Sequence, residues 1–92
     1  MSSTHRSRIG ILLNILEAIN KRDYAIITEI IREANIPHER LLPILERLIE
    51  RGYIRYIKRD NRRYYMLTPD GYRLMQELRR LKHLIEDLGL SL

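Results

Sequence analysis

The chain has 92 residues, about the size of one domain, and at 45% hydrophobic and 32% charged it carries enough apolar material to fold around a core. A formal charge of +5 favours acidic partners, and the absence of cysteine excludes disulfides, thiolate metal sites and a cysteine nucleophile. The polar start M-S-S-T-H-R-S-R lacks the apolar stretch of a secretory leader, and the longest apolar run, Ile9 to Leu16, is too short to span a bilayer, so the expectation is a cytoplasmic protein without a membrane partner.

Apolar residues at Ile9, Leu12, Leu13, Leu16 and Ile19 fall at helical spacing and predict a first helix from about His5 to Asn20. Tyr24-Ala25-Ile26-Ile27 is apolar and partly β-branched, sufficient for one strand pairing but not for an element of its own. A second helix is expected over Thr28 to Ala34 with Thr28 as its cap, ended by Asn35-Ile36-Pro37. A third should run to about Arg51, with Leu41, Ile44, Leu45, Leu48 and Ile49 inward and Gly52 at its stop. Pro43 falls inside it, so either the helix kinks there or its regular part begins at Leu42. After Gly52 the period drops to two: Tyr53 to Lys58 and Arg63 to Leu67 read as strands joined across Arg59-Asp60-Asn61-Arg62, a turn suited to left-handed backbone. Thr68-Pro69-Asp70 then opens a final helix reaching about Leu88, near Gly89.

The charge is concentrated. Residues 51–65 hold six cations (Arg51, Arg55, Lys58, Arg59, Arg62, Arg63) against Asp60, a net of +5, so the other 77 residues balance at eleven of each sign. A solvated hairpin needs a cation or two to protect an edge strand, but not four more around its tip. Tyr53, Tyr56, Tyr64 and Tyr65 are read as packing the hairpin against helices, and adjacent Tyr64 and Tyr65 must face opposite ways. The final helix carries Leu74, Leu78, Leu81, Ile85 and Leu88, spaced four, three, four, three, which is a coiled-coil seam.

The segments T-E-I-I-R-E-A-N-I-P-H-E-R-L, L-E-R-L-I-E-R-G-Y-I and Y-Y-M-L-T-P-D-G-Y-R-L resemble the small archaeal winged-helix DNA-binding proteins, chains of similar length that end in a helix pairing as an antiparallel coiled coil. Leu67, Thr68 and Gly71 form the Leu-Thr-x-x-Gly phrase common to many winged-helix regulators. The resemblance implies a mostly α fold with a small β-hairpin (α+β), a winged helix-turn-helix unit over 1–68 and a dimerisation helix over 69–92 packed on the same domain. It also implies that helix 3 enters the major groove while the hairpin flanks it.

The expected function is double-stranded DNA binding by a homodimeric transcriptional regulator. Chromatin-type binding of low specificity, single-strand or RNA binding, and docking on an acidic protein are the alternatives. Candidate DNA contacts are Thr28 at a helix terminus, His38, Arg40, Pro43 and Arg47 outward on helix 3, and Arg55, Lys58, Arg59, Asn61, Arg62 and Arg63 on the hairpin. Glu39, Glu46 and Glu50 offset the arginines of helix 3, making it a poor electrostatic binder alone. His5, His38 and His83 form no metal-ligand pattern and no glycine-rich phosphate loop appears, so neither an enzyme nor a cofactor is expected.

Overall fold

The computed structural model describes residues 6–91 and places elements in the expected order: α1 (Arg8–Asn20), α2 (Ile27–Ala34), α3 (His38–Glu50), β1 (Ile54–Arg59), β2 (Arg62–Leu67) and α4 (Pro69–Asp87). Helix α1 begins at Arg8 rather than near His5 because Ser7 Oγ accepts the Gly10 N–H at 3.0 Å and stops the helix there. His5 itself lies outside the described residues.

Helix α1 is the centre of the domain, packed by α2, α4 and β2 together. One apolar face would not satisfy that position. Ile11, Ile15 and Ala18 are therefore buried along with Leu13, Leu16 and Ile19, while Ile9 in the first turn stays 39% exposed. Around α1 the core is completed by Ile30, Leu41, Leu45, Ile54, Tyr65 and Met75, each fully buried, and each large side chain contributes about 1.5–3 kcal/mol by leaving water.

Helix α2 corrects one expectation. It starts at Ile27, Thr28 is its second residue, and the Ile26 N–H is capped by Glu29 Oε1 at 3.0 Å instead of by a hydroxyl. At the other end Asn35 takes the left-handed conformation (φ 53°), which a short amide side chain tolerates. Lys21 and Arg22, in the turn after α1, reach Glu33 and Glu29 on α2. The Lys21 ammonium hydrogen-bonded to Glu33 holds that carboxyl below its ordinary range. Its contribution is therefore present at neutral pH and fades as acid titrates it.

Helix α3 runs unbroken from His38, so Pro43 lies inside it as the sixth residue rather than in its first turn. Both Pro43 and Glu39, whose carbonyl loses its partner, are exposed, so water can satisfy the free oxygen. The helix ends on Gly52 (φ 80°): Tyr53 N–H bonds Leu48 O at 2.9 Å and Gly52 N–H bonds Ile49 O at 3.0 Å, closing the last orphan carbonyls.

The hairpin is antiparallel, with Tyr56 opposite Tyr65 and Arg59 opposite Arg62. Asp60 and Asn61 both have positive φ (54° and 62°), as a two-residue turn matched to strand twist demands. Ala25 pairs with Tyr65 through two backbone bonds of 2.9 and 2.8 Å, the single pairing expected of that segment. Tyr65 is buried and Tyr64 half-buried, on opposite faces.

The Leu-Thr-x-x-Gly phrase has a geometric cause. Thr68 Oγ accepts the Gly71 N–H at 3.0 Å to cap α4 and donates to Gly52 O at 2.6 Å, while a Cβ on Gly71 would sit 1.8 Å from Tyr53 O. In an ordinary helix Gly→Ala stabilises by up to about 1 kcal/mol. Here Gly71→Ala should instead lower stability by ~2 kcal/mol or more, read as a reduced thermal midpoint.

Candidate nucleic-acid interface

Folding sorts the charges of α3 onto two flanks. Glu39, Glu46 and Glu50 are seven and four residues apart and share one side of the helix, as do Arg40, Arg47 and Arg51 on another. The acidic flank meets the hairpin, where Arg63 reaches Glu46 at 3.2 Å. Of the basic flank, Arg40 and Arg47 line a groove with Pro43, Ile44 and the α1 residues Arg8, Ile11 and Leu12, while Arg51 borders a separate hollow with Tyr53 and Asp70. Arg8 was not among the residues expected from sequence. Only the tertiary arrangement of α1 and α3 places it in one groove with Arg40 and Arg47.

The hairpin has two faces. Ile54, Tyr56, Lys58, Arg63, Tyr65 and Leu67 share the inner one, and Arg55, Ile57, Arg59, Arg62, Tyr64 and Met66 the outer. Arg63 is half-buried, with its guanidinium 4.0 Å from the Tyr56 ring centroid and its other end on Glu46. Tyr56 in turn packs on Tyr65 with centroids 5.9 Å apart. Proximity of the Tyr65 hydroxyl, then of Tyr56 and Glu46, raises the Arg63 pKa from a value that already keeps it charged. Arg63 is thus a strut between hairpin and α3 as well as a cation.

The Ala25–Tyr65 pairing carries the N-terminus of α2 to the hairpin turn. Ile26, Ile27 and Thr28 line one cleft with Asn61, Arg62 and Arg63, so four of the expected contacts converge there. Thr28, His38, Arg40, Pro43, Arg47, Arg55, Lys58, Arg59, Asn61 and Arg62 are all exposed. His38, the first residue of α3, lines neither this cleft nor the α1–α3 groove, and Arg55 and Arg59 lie on the outer face. Arg59 borders a small hollow there with Tyr24, Ile57 and Tyr64. Among the described residues no cluster of His, Asp or Glu is arranged to hold a metal, and no helix is long and apolar enough to cross a membrane.

Residues 5–86 of the sequence match the winged helix-turn-helix family model. The chain belongs to the winged helix-turn-helix family. Its fold is similar to that of Sso10a-2, a DNA-binding protein from Sulfolobus solfataricus, at a TM-score of 0.83 and 24% identity, covering 91% of this chain and 86% of that one. It is also similar to BpsR of Bordetella bronchiseptica, whose DNA binding is regulated by 6-hydroxynicotinic acid (TM-score 0.75, 19% identity, 84% of this chain and 61% of that). A third similar structure is the PcaV transcriptional regulator of Streptomyces coelicolor (TM-score 0.68, 17% identity, 74% and 52%). No curated protein matches the chain significantly.

Within this winged helix-turn-helix chain, the Arg63–Glu46 pair is partly exposed, at 39% and 56% of each side chain. A double-mutant cycle with Glu46→Ala and Arg63→Ala should therefore give a stability coupling of only about 0.2–1 kcal/mol. Arg63→Ala alone should cost more than Glu46→Ala, because it also removes the stack on Tyr56.

Proposed function

We propose that this protein binds double-stranded DNA as a homodimeric transcriptional regulator. The observation that carries the proposal is that most of the hairpin's positive charge is unneutralised: among the described residues Arg55, Lys58, Arg59 and Arg62 are exposed and belong to no salt bridge, and only Arg63 is paired. Exposed cations on a rigid two-stranded arm are suited to run along a phosphate backbone. The exposed Thr28 at the N-terminus of α2 offers helix N–H groups to a further phosphate next to Asn61 and Arg62. Helix α3 supplies His38, Arg40 and Arg47 for the major groove, with Pro43 presenting carbon surface between them. Similarity to Sso10a-2 and to PcaV, which are described as a DNA-binding protein and a transcriptional regulator, supports the reading.

Among the described residues of α3 only Arg40 and Arg47 are exposed cations, while Glu46 occupies the flank toward the hairpin. That favours low sequence selectivity as a second reading, with the protein acting as a chromatin-type binder. Selection of bound sequences from a random duplex pool separates the two: a regulator enriches a motif and a chromatin-type protein does not.

Salt dependence tests the wing. In fluorescence anisotropy with a labelled duplex, Arg59→Ala with Arg62→Ala should weaken binding and reduce the log–log salt slope by about 2. An unchanged slope excludes these residues as phosphate contacts. Feeble duplex binding by the unaltered protein at low salt would put docking on an acidic protein first.

Dimerisation is assigned to the outer half of α4. Leu78 lies in the chain's own core and Leu74 packs against it, whereas Leu81, Leu84 and Leu88 are 37%, 52% and 75% exposed, with Ile85 half-buried beside them. Leu81, Leu84, Ile85 and Leu88 sit at one helical stripe's spacing, which supports a pairing surface. Leu81→Asp with Ile85→Asp should give a monomer in light scattering with weaker DNA binding, and a variant that stays dimeric locates the interface elsewhere.

A further inference from the structure

We propose that the groove between α1 and α3 binds an organic anion with an apolar body, and that its occupant competes with DNA for Arg40 and Arg47. The groove has a volume of about 460 Å³, inside the range of roughly 300–1,000 Å³ typical of small-molecule sites. Its wall is carbon: buried Ile11, half-buried Leu12 and Ile44, and the exposed ring of Pro43. Its polar groups are three guanidinium ions, Arg8, Arg40 and Arg47, with no acid among the lining residues.

Among the described residues none of these three arginines belongs to a salt bridge. The acids of α1 and α3 that form salt bridges do so elsewhere, Glu17 with Arg79 and Glu46 with Arg63. Three exposed like charges around apolar surface favour a ligand that carries both an anion and carbon surface. A bare inorganic anion would leave the apolar floor wet, and a neutral apolar molecule would leave the guanidinium groups without a counter-charge. A carboxylate carried on an aliphatic body meets both demands. Arg40 and Arg47 are seven residues apart, which is about 10 Å along the helix and bounds the length of a body held between them.

The site stands on the groove itself, and only its competitive role rests on the DNA-binding reading. The experiment therefore has two arms. In the first, methyl-labelled protein without DNA is titrated with octanoate, with octanol and with inorganic phosphate, and followed by NMR. Expected are saturable shifts of the Ile11, Leu12 and Ile44 methyls with octanoate, roughly tenfold weaker responses to the other two, and a roughly tenfold loss of octanoate affinity in Arg8→Gln. Absence of shifts up to about 10 mM octanoate, equal response to octanol, or shifts confined to the exposed leucines of α4 would overturn the site.

In the second arm octanoate is added to the protein–duplex complex in the anisotropy assay. The apparent Kd for DNA should rise with octanoate in the unaltered protein and rise less in Arg8→Gln. Octanoate binding with an unchanged duplex Kd would overturn the competition while leaving the site. Octanoate binding by a protein that fails to bind duplex at all would leave the site and remove the DNA reading instead.

Discussion

A single backbone junction orients the rest of this structure. Tyr53 closes α3 through its N–H on Leu48 O, and its carbonyl accepts the Thr68 N–H at 3.1 Å while lying against Gly71. The end of α3, the start of β1, the end of β2 and the start of α4 thus meet within a few residues. Both roots of the hairpin are held at one point, so the arm leaves the domain at an angle set by hydrogen bonds rather than by soft side-chain packing. Removing the room at Gly71 would move α4 and the hairpin together.

On that frame, electrostatics is decided by which flank of α3 meets which neighbour. The helix taken alone is nearly neutral, and an average over its sequence hides the arrangement. Packing puts Glu46 under Arg63, so one acid is spent on holding the hairpin, while Arg40 and Arg47 are left facing α1 beside Arg8. Internal pairing of one hairpin arginine thereby makes the remaining positive surface more continuous. The stack of Arg63 on Tyr56, and of Tyr56 on buried Tyr65, ties this pair to the core.

Helix α4 splits its stripe of leucines into a buried half and an exposed half. Its first half covers the domain with Met75 and Leu78 and is anchored to α1 by Arg79 on Glu17 at 2.9 Å. Its second half runs past the core, and among the described residues its leucines Leu81, Leu84 and Leu88 stay exposed. At 19 residues, about 28 Å, the helix is longer than the face it covers. A seam read as continuous along the sequence is therefore interrupted in three dimensions, because α1 takes one part and leaves the other.

Local chemistry was enough to determine the element order, the stop at Gly52, the Asp60-Asn61 turn, the Thr68 cap and the concentration of charge on the hairpin. Each depends on residues within a turn or two of one another, where backbone preference and side-chain spacing act directly. The cap of α2 was misassigned for the same reason: Glu29 and Thr28 both offer an acceptor locally, and the Ala25–Tyr65 pairing that fixes where the chain turns is forty residues away. Tertiary structure alone decided that α1 would be surrounded, that Arg8 would join Arg40 and Arg47, that Arg63 would serve as a strut, and that Leu78 would be core. Those outcomes depend on contacts between distant segments, whose positions follow from shared burial and hydrogen bonding across the whole domain, and no spacing along the chain encodes them.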